Sequence, residues 1–410
     1  MHVIIGNGIA GLTAARVIRE FGRGIDATLI SEEKYPAYSP CVFPNYISGE
    51  IGRERIFLNG HEDYLKIGVR PIFGKKVLGI RTEEKKVFLE GGSHLRYDKL
   101  VIATGSEPII PGIDGVEKKG VFTLKTLRDV DELLAYPKRK IAIVGAGFIG
   151  VETAIALKVR GYDVTLIESL DHVLPAAFDE KPAHLIEAAL QKHGIKIFSG
   201  KEVTRILGRE ELKGIEVSGR EIKCDAVVLA TGMKPRVDLA KRAGIKIGKL
   251  GGILTDERMS TSAEDVYACG DCTESRDVVM GENVLNLIWP NAVLQGKTVG
   301  YNCVGIRRKY RGFTRVVGMD IFGAHAVSIG HPAAVIGDSR IRGRAYEGHY
   351  YQIIFKDEKI VGAQFVGKTK DMGVLFRAIL GGDRIKDIKR AQRELLVLNP
   401  LYIKARPYLQ

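Results

Sequence analysis

The chain has 410 residues, of which 45% are hydrophobic, 27% are charged and 48 are glycine. That length exceeds what one core can organise and calls for two or three globular domains with many tight turns. The formal net charge of +13 comes from dispersed Lys and Arg, densest at Lys138-Arg139-Lys140 and Arg307-Arg308-Lys309 with no aromatic-and-basic RNA motif beside them, which argues against nucleic acid and fits anionic cofactors.

At the amino end, strand His2-Val3-Ile4-Ile5 runs straight into Gly6-Asn7-Gly8-Ile9-Ala10-Gly11. An apolar-periodic helix and strand Ala27–Ile30 follow. This is a βαβ opening with G-x-G-x-x-G between strand and helix, the context that gives the motif meaning. Gly6 makes the tight turn, Gly8 lets backbone approach a pyrophosphate, and Gly11 lets the helix pack on the strand. The helix N-terminus then presents unpaired N–H groups to the phosphates. The start reads as a strand rather than a signal peptide, and no apolar run has transmembrane length, so the expected location is cytoplasmic. Five cysteines, an odd number in a long chain, argue for reduced thiols.

The next informative stretch, Tyr38-Ser39-Pro40-Cys41-Val42-Phe43-Pro44, puts one cysteine between two prolines. Pro44 is tolerated only in the first turn of a helix, so Cys41 is expected beside a helix N-terminus, where a thiolate is favoured. Strand Leu100–Ala103 ends in Thr104-Gly105. Then the opening repeats: Ile141-Ala142-Ile143-Val144, Gly145-Ala146-Gly147-Phe148-Ile149-Gly150, a helix, and strand Asp163–Ile167 ending at Glu168. An acid there accepts from a ribose 2′-OH and repels a 2′-phosphate, and Ser169, Leu170 and Asp171 offer no arginine, so NADH is favoured over NADPH. Val227–Ala230 with Thr231-Gly232 echoes the earlier Thr-Gly strand. The fold expected is α/β: two Rossmann-like dinucleotide-binding domains, the second inserted in the first. The first covers about 1–110 and 233–312, the second 111–232. Beyond Arg315, alternating strands (Tyr350–Phe355, Ile360–Phe365) and a helix near Met372–Leu380 suggest a third, α+β unit over 315–410.

Between these lies Thr261-Ser262 followed by Val266-Tyr267-Ala268-Cys269-Gly270-Asp271, a short strand ending in Gly-Asp. With the two glycine turns, it resembles the pyridine nucleotide–disulfide oxidoreductase superfamily over essentially the whole chain. The resemblance implies FAD in the first copy, whose domain carries Gly-Asp, with Asp271 on the ribityl chain, and NAD(H) in the second. For FAD it points to Gly6, Gly8, Gly11, Val77, Ala103, Thr104, Gly105, Asp271 and Ala292. Ala292 would open a helix directed at the flavin. Ser31 stands where the family carries an acid, so Glu32 is expected to contact the adenosine ribose. For NAD it points to Gly145, Gly147, Gly150, Glu168 and Gly232, with Phe148 gating the nicotinamide pocket and Glu152 touching its end. The C-terminal unit corresponds to a dimerisation domain, implying a homodimer.

The segment around Cys41 is similar to the single-cysteine branch of coenzyme A disulfide reductases and NADH oxidases, and also to rubredoxin and ferredoxin reductases, which lack the cysteine. The first branch implies that Cys41 is catalytic and that the acceptor is a small disulfide or persulfide; the second implies a redox carrier protein, with Cys41 an ordinary packing residue. Ile9 replaces a histidine of the oxidase and peroxidase members, which argues against peroxide chemistry. A quinone reductase would need an amphipathic tail, and Pro400–Gln410 contains two prolines. Cys269-Gly270-Asp271-Cys272 has redox spacing, but its Gly-Asp is already taken by FAD. Cys224 and Cys303 read as core. The histidines lack metal-ligand spacing and no second C-x-x-C exists, so no metal is expected.

Overall fold

A computed structural model describes residues 1–346, 349–367 and 372–384. The first sheet is all parallel, in the order Val266–Ala268, Lys99–Ile102, His2–Ile5, Ala27–Ser31, Val69–Phe73. Its central members are continuous apolar runs because helices and other strands cover both faces; Val3, Ile4, Leu29, Leu100 and Val101 are fully buried. The second sheet is also all parallel: Lys196–Phe198, Asp163–Ile167, Lys140–Val144, Ala226–Leu229, Val121–Thr123. In each, the strand that enters the glycine turn lies between the next strand and the one that ends in Ala-Thr-Gly.

The two crossings between these units form a small antiparallel ribbon, Ser106–Pro108 against Met233–Pro235. Each strand leaves a Thr-Gly step. Thr104 Oγ1 donates to the Arg236 carbonyl and Thr231 Oγ1 to the Ile109 carbonyl, both at 2.7 Å. The repeated sequence therefore closes on itself as a repeated hydrogen-bond pattern.

Helix Ile9–Phe21 packs along helix Trp289–Cys303. The contact is close because Gly296 and Gly300 face it; a Cβ on Gly296 would overlap the Ala10 carbonyl. The helix expected near Ala292 begins three residues earlier, at Trp289. Pro290 needs no N–H in the first turn, so the helix extends back through it. Ala292 is buried.

The third unit is a five-stranded antiparallel sheet, Val316–Ile321, Ala324–Gly330, Lys359–Gly367, His349–Lys356, Arg340–Tyr346. Helix Met372–Gly381 covers one face, packing Leu375, Ala378 and Ile379 on Ile353 and Phe365. The tail Pro400–Gln410 lies outside the described residues, among which no helix is long and apolar enough to cross a membrane.

Candidate functional site

The two glycine turns are built alike. Gly6 and Gly145 have φ of +112° and +101°, and a Cβ on either would overlap a backbone carbonyl, that of Ala103 or Ala230. A Cβ on Gly11 or Gly150 would overlap the carbonyl of Gly6 or Gly145, so the third glycine seats the helix on its own turn. Gly8 and Gly147 differ in kind: a Cβ there would meet nothing within 4 Å. Each opens on the N-terminus of a long helix, Ile9–Phe21 or Phe148–Val159, with no side-chain cap and no acid in its first turn. Open space, free N–H groups and a positive helix end are what a pyrophosphate requires. The residues present fit a dinucleotide in each copy.

Glu168 is buried at the end of its strand. Its carboxylate accepts from the N–H of Ala146 (2.7 Å) and of Leu170 (3.0 Å) and from the Ser169 hydroxyl (3.3 Å), which hold it beside the second glycine turn. The first copy is anchored differently. Ser31 is buried without a charge, and the turn is fastened through Asn7, which accepts from Tyr64 Oη (2.8 Å) and donates to the Tyr35 carbonyl (3.3 Å). Glu32 is exposed and 3.6 Å from Arg236 Nη2. The adjacent Glu33 faces inward and accepts from Tyr38 Oη at 2.9 Å; burial pushes its carboxyl up. Val77 opens strand Val77–Arg81, which belongs to a small antiparallel sheet packed against the first parallel sheet.

Asp271 follows the edge strand of the first sheet. Gly270 before it has φ +81° and lies against Ala10, at the foot of the first glycine-turn helix. Gln295 accepts from the Gly270 N–H at 2.7 Å, so helix Trp289–Cys303 fixes the loop that carries Asp271. Two residues that the sequence reading missed complete this corner. Ser106 Oγ donates to Asp271 Oδ2 (2.8 Å), and Lys125 Nζ lies 2.8 Å from Ser106 Oγ and 3.4 Å from Asp271 Oδ2. Ser106 directly follows the Thr-Gly step, a position that could have drawn attention. Lys125 had no such signal: it sits before the N-cap of helix Leu127–Ala135 and reaches Asp271 only through the domain arrangement.

Cys41 lies in a 3₁₀ turn, Pro40–Val42, immediately before helix Phe43–Ser48, with Pro44 in that helix's first turn. The expected placement holds, but the expected electrostatics do not. Cys41 is solvent-exposed, yet the protein wall around it and the carboxylates of Glu152 and Asp271 push its thiol up; the Ser39 hydroxyl opposes this without prevailing. A six-residue helix is too short a dipole to reverse desolvation and two like-signed neighbours. Glu152 is carried by helix Phe148–Val159, against which helix Phe43–Ser48 packs through Phe43, Ile47, Val151 and Ala154. Burial raises the Glu152 carboxyl to about 7. Phe148 is half-buried on the same core. Cys41, Glu152 and Asp271 come from three separate segments, and both carboxylates are near enough to bear on the thiol.

The other cysteines are packing residues. Cys269, Cys272, Cys224 and Cys303 are all buried, and burial raises every one of their thiols, Cys272 to about 11. Among the described residues no group of His, Cys, Asp and Glu could hold a metal ion.

The family model for pyridine nucleotide-disulphide oxidoreductases matches residues 1–296. The chain belongs to that family, and it is an FAD- and NAD(P)H-dependent oxidoreductase. It is 36% identical to an NADH oxidase of Methanocaldococcus jannaschii over 390 residues, covering 89% of this chain and 87% of that one. It is 33% identical to a CoA-dependent NAD(P)H sulfur oxidoreductase of Pyrococcus furiosus, covering 76% of this chain and 71% of the relative. The solved structure of an NAD-dependent persulfide reductase from A. fulgidus superposes with a TM-score of 0.89 at 32% identity, over 94% of this chain and 78% of the other.

Proposed function

We propose that this protein is an NADH-dependent flavoprotein reductase that passes electrons through Cys41 to a disulfide, persulfide or similar small sulfur acceptor. One observation carries the reading: an exposed cysteine lies within electrostatic reach of Glu152, from the second nucleotide unit, and of Asp271, from the first. The similarity to proteins named for sulfur and persulfide reduction supports an acceptor of that class.

In this reading the glycine turns hold the two pyrophosphates, and Asp271, oriented by Ser106 and Lys125, takes the ribityl chain of FAD. FAD bound there would supply two-electron transfer between a nicotinamide and sulfur. Glu168 keeps a carboxylate at the adenosine ribose of the second site, which selects NADH over NADPH. The protein acts in the cytoplasm as a homodimer joined through the C-terminal unit.

The test is Cys41→Ser in the FAD-loaded enzyme. Disulfide reduction with NADH falls by at least about 100-fold, on the scale of losing a catalytic group. A second reading is favoured by the raised Cys41 thiol: an NADH-dependent reductase of a redox carrier protein, with Cys41 incidental. It predicts that Cys41→Ser keeps full activity towards a one-electron carrier and that disulfides are poor acceptors for wild type and variant alike.

A further inference from the structure

We propose that Asp131, carried by the second nucleotide unit, is a positioning residue for Cys41, holding the cysteine segment of the first unit in its working geometry. The inference rests on the redox-thiol reading of Cys41 and adds to it the group that aims the thiol.

The segment leaves the first unit through a closed neck. The Ser39 N–H donates to the Ile56 carbonyl at 3.0 Å and the Leu58 N–H to the Ala37 carbonyl at 2.8 Å, so the chain enters and leaves side by side. Between these ends lie Cys41, helix Phe43–Ser48 and the 3₁₀ turn Arg53–Ile56. Their buried side chains join the second unit instead of the first. Phe43, Ile47 and Ile56 share one core with Leu127, Val130 and Val151. Cys41 thus sits where a neck fixed on one unit meets a body seated on the other.

Apolar packing holds that body down but gives it no direction, because the hydrophobic effect is not directional. Direction comes from helix Leu127–Ala135, which a capping box between Thr126 and Asp129 fixes at its start. Leu127 and Asp131 are four residues apart on it and look the same way. The Leu127 N–H donates to Tyr38 Oη at 3.2 Å, beside the neck. Both oxygens of Asp131 are engaged by the segment. Tyr46 Oη donates to Oδ1 at 3.0 Å, and Arg53 Nε and Nη2 each donate to Oδ2 at 3.0 Å. The Arg53 guanidinium also lies over the rings of Tyr35 and Phe57, 5.3 and 5.9 Å from their centroids. Arg160, just past helix Phe148–Val159, donates to the Ile47 carbonyl at 2.8 Å and holds the end of the cysteine helix.

An exposed ion pair by itself contributes little to stability. Asp131 differs from such a pair, for example Arg128 with Glu132 on the same helix, in tying two turns of the cysteine segment to an element of another unit. A thiol reacts only when held at near-attack distance, and a displacement of about 1 Å costs on the order of 100-fold in rate. The hold that Asp131 exerts is therefore read as rate at Cys41 rather than as stability.

The experiment follows two half-reactions of the FAD-loaded enzyme by anaerobic stopped flow: bleaching of the flavin by NADH, and its recolouring by coenzyme A disulfide. In Asp131→Ala recolouring slows by at least about 10-fold, whereas bleaching, which does not use Cys41, keeps the wild-type rate. Asp131→Glu, which preserves the charge, recovers part of the loss. Tyr46→Phe and Arg53→Gln each give a smaller loss, and together they reproduce that of Asp131→Ala, because the three side chains act as one unit. Glu132→Gln, which breaks the neighbouring exposed pair, changes neither half-reaction. Independently of turnover, hydrogen exchange at the amides of residues 41–56 accelerates in Asp131→Ala while that of helix Ile9–Phe21 does not. Recolouring at the wild-type rate, or unchanged exchange over residues 41–56, overturns the proposal. So does an equal slowing of both half-reactions, the mark of a general loss of structure. Full disulfide reduction by Cys41→Ser would instead sink the redox-thiol reading while leaving the exchange result as it is, so the two failures are distinguishable.

Discussion

At the scale of single residues, the three glycines of each turn have different reasons to be glycine. Gly6 and Gly11 are excluded from bearing a side chain by backbone, whereas a side chain on Gly8 would meet only open space. Gly6→Ala combines a left-handed φ with overlap on a carbonyl and should destabilise the protein by at least about 2 kcal/mol. Gly8→Ala, at φ −74° with open space, should leave the denaturation midpoint within about 0.5 kcal/mol of wild type. The same substitution should sharply reduce FAD uptake, read from bound-flavin absorbance. Equal destabilisation by both would show that Gly8 too is a packing glycine. For the second site, Glu168 predicts a kcat/KM for NADH over NADPH of roughly tenfold or more, about 1.4 kcal/mol. Glu168→Ala should shrink that ratio, and a preference for NADPH in the wild type would refute the assignment.

Among elements, the decisive contacts are between helices and turns. Helix Trp289–Cys303 meets helix Ile9–Phe21 through Gly296 and Gly300, and its Gln295 holds the Gly270 N–H. The position of Asp271 is therefore set by a helix crossing rather than by its own strand. Gly296→Ala should cost about 1–3 kcal/mol by overpacking. It should also loosen retained flavin, because Gly270 rests on Ala10, at the same crossing. Denaturant titration with flavin release on dilution checks both; loss of stability with flavin affinity intact would separate the crossing from the site. The short helix after Cys41 makes the opposite point. Its prolines positioned it correctly in the sequence, but its length, ended by Gly49 at φ +87°, leaves it too weak to govern the thiol it flanks.

Across the whole molecule, the C-terminal sheet is fastened to both nucleotide units. Asp179, the N-cap of helix Glu180–Lys192, accepts from Gln352 and Gln364 and from the N–H groups of Ala333 and Ala334. The second latch is the buried contact of His331 with Asp277, at 2.9 Å. Burial pushes the Asp277 carboxyl up, but hydrogen bonds from His331 and the N–H groups of Met280 and Val279 outweigh it and hold it below the ordinary value. That stability is present above the ordinary carboxylate pKa and is lost as pH falls through the lower, folded value. Asp179→Ala strands four donors and should cost about 2–4 kcal/mol. Its signature should be regional: proteolysis released near Arg315 at protease levels that leave wild type intact, with the FAD-binding part still folded. Cleavage no faster than wild type would show that the Asp277–His331 latch suffices.

Much of this was legible along the chain because the signals are local. A Rossmann turn needs glycine at fixed offsets, a buried parallel strand needs an apolar run, and a strand ending in Gly-Asp announces its carboxylate. Those requirements are met within short stretches of chain, so the two glycine turns, the strands that enter them and the Gly-Asp at a strand's end were legible in the sequence. The start of the helix at Trp289 was misread by three residues because Pro290 suits either side of a helix boundary. What no local pattern encodes is which carboxylates bear on the Cys41 thiol, that Lys125 crosses a domain boundary to Asp271, and that Glu152 is half-buried with no hydrogen-bond partner among the described residues. Those facts arise when segments more than a hundred residues apart are packed together. Burial and neighbouring charge belong to that packing, and they set whether a thiol or a carboxyl keeps its proton.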